Sequence, residues 1–465
     1  MTLIKSISGI RGTIGGRTGE GLTPLDIVKF TSAFYQLIEK RTGKKQIKVV
    51  TGRDARISGP MVQSLVNQTL VGMGAEVIDL GLSTTPTVEI AVPLEKADAG
   101  IILTASHNPK QWNALKLLNE KGEFISAIEG EEMLAIAESE DFIYATIDDL
   151  GSVVAKDYLN IHIQQILNLN LVNVEAIKKA NFTVAVDAVN SSGGIYVPAL
   201  LNALGVNQTH KLYCEPNGHF PHNPEPLPEN LKDISSLVIE KKCDLGIVVD
   251  PDVDRLAFVN EDGSMFGEEY TLVAVADYVL SKIPGNTVSN LSSTRALRDV
   301  TEKHNGTYQA AAVGEVNVVV KMKDTKAVIG GEGNGGIIYP ESHYGRDALV
   351  GIALFLTHLA ESKMKMTELR KSYPAYEISK NKIELTAAHD VDAILENVKT
   401  MFPDAVVNTV DGIKFDFPDG WVHLRKSNTE PIVRVYAEHS SEEKANTLAQ
   451  KVMAAVTNLM EAAVK

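Results

Sequence analysis

Cysteine is scarce in this sequence, because Cys214 and Cys243 are its only thiols in 465 residues. Two cysteines form neither a disulfide framework nor a four-thiolate zinc site. Long apolar runs are missing as well: no stretch approaches the ~20 consecutive apolar residues that span a membrane. The first residues also lack the apolar core of a signal peptide. We therefore expect a cytoplasmic protein with reduced thiols and no membrane partner.

An excess of positive charge is also absent. Lys and Arg number 45 against 59 Asp and Glu, which gives a formal net charge of −14. A protein that binds nucleic acid usually has a basic face, so the charge argues against a nucleic-acid partner. An anionic small molecule remains possible, because a few cationic side chains can converge in one cleft. The chain is 44% hydrophobic and 22% charged, as soluble globular proteins are, and it is too long for a single core.

Apolar strands alternate with helical segments over most of the chain, a pattern typical of parallel sheets covered by helices. Near the end, alternating apolar and polar residues indicate a hairpin, followed by a strand and a final helix. We predict an α/β protein in which three similar α/β units, with mixed and largely parallel sheets, and a C-terminal α+β domain surround a central cleft. The predicted domains are residues 1–152, 153–255, 256–371 and 372–465. We expect the last domain to make fewer contacts than the other three make with one another.

Two loops follow apolar strands and carry reactive groups. Residues 104–109 (TASHNP) place Ser106 beside His107. A serine at this position is either a nucleophile or a turn and capping residue. The G-x-S-x-G elbow of α/β-hydrolases is missing from the sequence. The serine loop alone therefore leaves both interpretations open.

The second loop contains Asp250, Asp252 and Asp254. Alternate residues of an extended segment face one side, and three carboxylates there repel one another unless a hard cation neutralises them. An EF-hand is disfavoured, because Arg255 stands at the position that requires glycine and a strand precedes the loop. A solvated acidic turn remains an alternative, as does a phosphatase in which Asp250 is itself phosphorylated.

Two further loops suit a sugar phosphate. In residues 330–336 (GGEGNGG), glycines permit close approach, and Glu332 and Asn334 offer hydrogen bonds to hydroxyl groups. Residues 425–430 (RKSNTE) resemble a phosphate cradle, with a further arginine on the next strand. A flexible glycine turn and a polar hairpin loop are the respective alternatives. The candidate phosphate ligands are Arg425, Ser427, Asn428, Thr429 and Arg434.

Together with GIRG at residues 9–12, these four loops in this order resemble the α-D-phosphohexomutase family across essentially the whole chain, and within it most closely the phosphoglucosamine mutases. Some positions depart from the family. Ala114 stands where glycine is frequent, and Asn334 and Gly336 stand where bacterial members often have serine and histidine. The departures leave the sugar open.

The resemblance implies interconversion of hexose 6-phosphate and hexose 1-phosphate, with glucosamine phosphates favoured over the alternative, mannose or glucose phosphates. It implies a phosphorylated Ser106, a hexose bisphosphate as intermediate or activator, and one Mg²⁺ held by that phosphoserine and the three aspartates. A monomer or homodimer is expected, and a non-catalytic sugar-phosphate sensor is a more distant alternative. Lys116 is expected to act as the acid or base, with a pKa lowered by burial near a cation. The implied catalytic residues are Ser106, His107, Lys116, Arg11 and Arg255.

Overall fold

The computed structural model describes residues 1–6, 9–385, 391–427 and 432–464. The chain divides into two compact units. Unit 1 comprises Met1–Tyr278 and Asn334–Leu369, and unit 2 comprises Val279–Gly333 and Arg370–Lys465. Within the described ranges, no helix has both the length and the apolarity needed to cross a membrane.

Unit 1 begins with a mixed sheet. Its strands are β1 (Leu3–Ser6), β2 (Gly9–Thr13), β3 (Lys48–Arg53), β4 (Glu76–Leu82), β5 (Ala99–Leu103), β6 (Trp112–Leu118) and β7 (Ser152–Ala155). Their order is β1-β2-β6-β5-β3-β4-β7, in which β3, β4, β5 and β7 are parallel and β6 is antiparallel to β5. The accompanying helices are α1 (Pro24–Thr42), α2 (Gly59–Gly72), α3 (Thr85–Leu94) and α4 (Ala127–Ser139), with a 3₁₀ turn at Ile147–Asp149.

Local sequence explains several of these elements. Helix α1 starts at a capping box in which Thr23 and Asp26 bond each other's backbone N–H groups, with Pro24 in the first turn. The five residues of β5 are all buried, because helices cover both faces of the sheet. Since β3 and β5 are parallel, the loops that follow them leave the same edge of the sheet.

A second sheet in unit 1 is built from β8 (Thr183–Asp187), β9 (Gln208–Leu212), β10 (Leu245–Val249) and β11 (Leu256–Asn260). Its order is β11-β10-β8-β9, with β10 parallel to β8 and antiparallel to β11. The aspartate loop therefore connects β10 to β11 at the carboxyl end of a fully buried strand. The helices here are α5 (Leu159–Leu167), α6 (Val174–Ala180), α7 (Gly193–Ala203) and α8 (Lys232–Lys241), with a 3₁₀ turn at Pro228–Asn230.

The chain then passes between the units. The next elements are α9 (Glu268–Lys282), β12 (Asn286–Asn290), α10 (Ala296–Lys303), β13 (Tyr308–Ala311), α11 (Glu315–Thr325) and β14 (Ala327–Glu332). In unit 2, β12 lies between β13 and β14 and is parallel to both. The chain returns to unit 1 with β15 (Gly336–Ile338), α12 (Ala348–Ser362) and the start of α13 (Met366–Lys371).

The last part of unit 2 is an antiparallel sheet with helices. Its elements are β16 (Glu377–Glu384), α14 (Val391–Val398), β17 (Val406–Asn408), β18 (Ile413–Phe417), β19 (Gly420–Lys426), β20 (Ile432–His439) and α15 (Glu442–Val464). The strand order is β16-β20-β19-β18-β17. Strands β18 and β19 form the predicted hairpin. The predicted α/β architecture with a C-terminal α+β domain is thus confirmed.

The C-terminal domain is packed against the segment that carries β12. The backbone N–H of Arg295 and the indole N–H of Trp421 both donate to the buried Glu438 Oε1, over 3.0 and 2.7 Å. The buried ammonium of Lys414 donates to the carbonyl of Leu291 over 2.8 Å. These two segments of unit 2 therefore share buried polar contacts, and the expectation that the last domain makes fewer contacts than the other three make with one another stays a prediction.

Candidate active site

Ser106 lies in the loop after β5, buried and aimed at the aspartate loop. Its hydroxyl donates to Asp250 Oδ2 over 2.8 Å, and its backbone N–H donates to Thr104 Oγ1 over 2.9 Å. Its φ of 49° is in the left-handed region, which is strained for a side-chain-bearing residue and frequent at functional positions. The hydroxyl thus belongs to a buried polar centre, and among the described residues its contacts are with side chains of that centre.

Arg56, which the sequence analysis missed, fixes the backbone of the serine loop. Its guanidinium is fully buried and pairs with Asp54 at 3.0 Å. The same guanidinium donates to three carbonyl oxygens of the serine loop and to that of Trp112 at the start of β6; the three are those of Ser106, Asn108 and Pro109. A charged pair directly after β3, at the edge where β5 also ends, was the sequence signal for this role.

The three aspartates converge in a turn. Asp250, Asp252 and Asp254 are buried, and one carboxylate oxygen of each lies within 4.8 Å of the others. The sequence analysis explained their common side by an extended segment, but the backbone N–H of Val253 bonds back to the carbonyl of Asp250. Val253 also has a φ of 64°, which is costly for a β-branched residue. The prediction that the three carboxylates lie together is therefore correct, but a strained turn, rather than an extended segment, brings them together.

Two of these carboxylates each keep one oxygen unpaired. Asp252 Oδ2 accepts from Lys116 Nζ and Thr85 Oγ1, over 2.7 and 2.6 Å. Asp254 Oδ2 accepts from Arg346 and Lys116, over 2.6 and 3.3 Å. The Oδ1 atom of both aspartates is buried and has no hydrogen-bond partner among the described residues. Buried anionic oxygens without partners are costly, and Mg²⁺ prefers such ligands, so the residues present fit that cation.

The charges of this cluster shift the pKa values of its members. Burial, together with Asp254 and Asp252, raises the pKa of Asp250 well above its usual range. Burial would also raise the pKa of Asp254, but Arg346 and Lys116 hold it below the usual range. Burial favours neutral Lys116, yet Asp252 and Asp254 outweigh burial and raise its pKa. The carboxylates by themselves thus raise the pKa of Lys116, and its expected lowering beside a bound cation stays a prediction.

Two predicted arginines border the serine. Arg11 lies on β2, next to β6, and its guanidinium donates to Asn108 Oδ1 over 2.9 Å. Arg255 pairs with Glu225 at 3.3 Å, while its buried Nε has no partner within the described part of the chain. Both guanidinium groups lower the pKa of His107. They bring positive charge to the serine loop, as binding of a phosphoryl group requires.

His107 itself is mostly buried beside the serine. Its Nδ1 lies 3.4 Å from Ser106 Oγ. Burial first, and then the charges of Arg255 and Arg11, lower its pKa to about 2. The imidazole is therefore neutral at physiological pH, and it can accept or donate a hydrogen bond without adding charge.

The predicted sugar-binding residues occupy both units. Glu332 belongs to unit 2, where its Oε1 accepts from Asn290 Nδ2 and from the backbone N–H of Gly314, over 2.8 and 3.2 Å. Asn334 belongs to unit 1, where its Oδ1 accepts from the backbone N–H of Gly336 over 3.2 Å. Glu332 is thus held by neighbours that the sequence analysis did not identify, and its contact with a sugar stays a prediction.

The predicted phosphate cradle lies in unit 2. Arg425, on β19, pairs through Nε with Asp411 at 3.1 Å, and Arg434 lies opposite it on β20. Ser427 follows β19, and its backbone N–H donates to the carbonyl of Ile432. Asn428 and Thr429 lie outside the described residues. The role of this loop as a cradle therefore remains a prediction.

Comparison with known proteins shows what class of enzyme carries these features. Family models for phosphoglucomutase/phosphomannomutase match in order: α/β/α domain I over residues 3–144, domain II over 160–263, domain III over 267–376 and the C-terminal domain over 377–455. These models describe mutases that are phosphotransferases. The chain belongs to the phosphoglucomutase/phosphomannomutase family, within the α-D-phosphohexomutases.

Individual relatives agree with this assignment along the full chain. The phosphoglucomutase/phosphomannomutase of Thermococcus kodakarensis is 36% identical, over 93% of this chain and 95% of its own. The phosphoglucosamine/phosphogalactosamine mutase of Sulfurisphaera tokodaii is 30% identical, over 96% and 97%. The crystal structure of a phosphoglucomutase/phosphomannomutase family protein from Burkholderia thailandensis superposes with a TM-score of 0.85, at 26% identity and 98% coverage of both chains.

Proposed function

We propose that this phosphohexomutase interconverts glucosamine 6-phosphate and glucosamine 1-phosphate through a phosphorylated Ser106 and a bisphosphate intermediate. The observation that carries the proposal is the buried hydroxyl of Ser106, 2.8 Å from Asp250 within an acidic triad that keeps two oxygens unpaired in the described part of the chain. A mutase acting on mannose or glucose phosphates is the alternative.

The proposed metal site consists of the three aspartates and the phosphoserine. Asp250 Oδ2 faces Ser106, while Asp252 Oδ1 and Asp254 Oδ1 supply the buried, unpaired oxygens. A bound Mg²⁺ would neutralise charge on the transferring phosphoryl group. Arg255 and Arg11 would bind that group's oxygens beside the serine. Burial of the cluster excludes water, which protects the phosphoserine from hydrolysis.

The proposed transfer balances as follows. A hydroxyl oxygen of the sugar monophosphate forms a bond to the phosphorus of phosphorylated Ser106, and the bond from that phosphorus to Oγ breaks. The hydroxyl proton is removed, and Oγ receives a proton in its place. The bisphosphate then returns its other phosphoryl group to Ser106 by the reverse chemistry. Lys116, which borders Asp252, is the proposed proton carrier, and His107 would position Oγ of Ser106.

The geometry favours this serine chemistry over the phosphatase alternative. A phosphorylated aspartate needs an oxygen that is free to attack. Both oxygens of Asp250 are occupied, Oδ1 by the backbone N–H groups of Asp254 and Arg255, and Oδ2 by Ser106. A sensor without catalysis would need neither the strained serine nor the acidic triad. Ser106 is therefore the better candidate for the phosphoryl carrier.

The substrate preference is tested by comparing sugars on the purified protein. We expect the catalytic efficiency kcat/KM to be highest for glucosamine 6-phosphate and glucosamine 1-phosphate, because the loop with Glu332 and Asn334 resembles that of phosphoglucosamine mutases. Mannose 1-phosphate and glucose 1-phosphate are assayed alongside, with Mg²⁺ and the matching bisphosphate present. A higher efficiency on either of these would assign the alternative. Turnover of none, with release of inorganic phosphate, would point to a phosphatase.

The cradle is tested by Arg425→Lys. We expect KM to rise roughly tenfold in both directions, because lysine cannot reproduce the bidentate pairing of guanidinium with phosphate. Mg²⁺ affinity, measured by calorimetry, should not change. Arg298→Lys is a control in the same unit, since Arg298 is also held by an aspartate, Asp416, at 2.7 Å. If both variants raise KM equally, Arg425 has no special role in binding phosphate.

A further inference from the structure

The surroundings of Gly336 leave no room for a side chain at this position. A Cβ atom at this position would lie 2.4 Å from Cδ and 3.1 Å from Cγ of Arg346, and 3.1 Å from Asn334 Oδ1. Its φ is outside the left-handed region, so backbone conformation does not demand glycine here. The place that a side chain at 336 would take is therefore filled by the stem of Arg346.

Arg346 is held firmly in that place. It pairs with Ile338 in an antiparallel bridge, and Asp347 follows as the cap of α12. Asp347 is buried, and its Oδ2 lies 2.9 Å from His162 and 3.1 Å from His343. With its backbone fixed on both sides, the Arg346 side chain extends across Gly336 to the aspartate loop.

The head of Arg346 determines which oxygen of Asp254 faces the cluster. It donates to Oδ2 over 2.6 Å, whereas Lys116 reaches the same atom only at 3.3 Å and lies closer, at 2.7 Å, to Asp252. The Oδ1 atom of Asp254 is left buried and unpaired among the described residues. A fixed partner on one carboxylate oxygen orients the other toward a metal.

We propose that Arg346 is a positioning residue that presents Asp254 Oδ1 to the magnesium ion, and that Gly336 provides the space its stem requires. The two positions act together: the absence of a side chain at residue 336 leaves room for the Arg346 stem, and the stem carries the guanidinium to Asp254. The inference rests on the proposed function only for the identity of the metal.

A double-mutant cycle tests the coupling on the full-length protein. The variants are Gly336→Ala, Arg346→Met and the double variant, all brought to the same Ser106 phosphorylation state as judged by intact mass. Methionine keeps an apolar stem and removes the cationic head. Mg²⁺ affinity by calorimetry, the melting temperature, and kcat and KM are measured. Gly72→Ala is the matched control, because a Cβ there meets only Tyr144, at 3.9 Å.

We expect Mg²⁺ affinity to fall about tenfold or more in Arg346→Met, the usual effect of losing a residue that orients a metal ligand. Gly336→Ala should lower it comparably by displacing the guanidinium. In the Arg346→Met background, the extra methyl group should cost much less, since no cation remains to be displaced. Arg346→Lys should retain part of the affinity, and Gly72→Ala should retain all of it.

Equal losses from Gly336→Ala in both backgrounds would overturn the coupling. A lower melting temperature with unchanged Mg²⁺ affinity in Arg346→Met and Arg346→Lys would reduce Arg346 to a structural role. These outcomes are separate from the proposed function. If the cycle behaves as expected but no hexose phosphate is turned over, the proposed function fails and the inference stands. If turnover is normal and the losses are additive, the inference alone fails.

Discussion

Ser106→Ala is expected to lose roughly 10³-fold or more of kcat, the scale seen when a nucleophile is removed. The phosphoryl carrier disappears, while Asp250 and the other aspartates remain. The fold should survive, because the change removes one hydrogen bond worth about 1 kcal/mol. The hydroxyl is buried, so a small loss of stability is expected. Alanine also tolerates the left-handed backbone no worse than serine does.

The measurement combines kinetics with intact-protein mass. Incubation with hexose bisphosphate should add one phosphoryl group to the parent protein and none to Ser106→Ala. Ser58→Ala is a suitable control, because Ser58 lies in the same unit and its hydroxyl accepts a hydrogen bond from Asn113 Nδ2 over 2.9 Å. Full activity and a retained mass adduct in Ser106→Ala would show that another residue carries the phosphoryl group.

Asp252→Asn is expected to weaken Mg²⁺ binding by about 10- to 100-fold and to lower kcat by a similar factor, because it removes one charge from a site that balances a divalent cation. Lys116 loses part of its electrostatic attraction at the same time, since Asp252 is its closer partner at 2.7 Å. Isothermal titration of the metal-stripped protein with MgCl₂ measures the affinity, and excess Mg²⁺ should restore part of the activity.

Asp187→Asn provides the matched control for this variant. Asp187 is also a buried carboxylate, at the carboxyl end of β8, the strand beside β10, and it pairs with His222 at 3.0 Å. The control should lose stability but keep its Mg²⁺ affinity. If Asp252→Asn shows the same result, the aspartate loop does not bind the metal.

Much of the candidate site in unit 1 could be predicted from the sequence, because the strands there end in loops with distinct chemical groups. The rule that ligands bind beyond the carboxyl ends of parallel strands brought Ser106 and the aspartates into one prediction. Arg56 follows β3 at the same edge and was missed, although the rule covers it. Thr85 and Arg346 lie outside the rule. Each reaches the centre from its own distant segment, and a single sequence does not reveal which buried polar groups will meet. Their identification required side-chain positions.

The packing of the C-terminal domain against the β12 segment was hidden from the sequence for a similar reason. Periodicity predicted its sheet and final helix, because those patterns depend on neighbours within a few residues. The contacts of Glu438 with Arg295, and of Lys414 with Leu291, depend on residues more than 100 positions apart. The same limit explains the aspartate turn, where the strained backbone of Val253 has no signature in the residue pattern.

Unit 2 is built from two segments that are separated along the chain, and this separation has a consequence for biosynthesis. A nascent chain emerges from its N-terminus, and domains generally fold as they become complete. Residues 279–333 emerge well before Glu438, which stands 143 positions after Arg295, whose backbone N–H donates to it. The surface that this acceptor covers is therefore exposed throughout synthesis of the intervening segment. Unit 2 can complete its packing only after the final strand has left the ribosome.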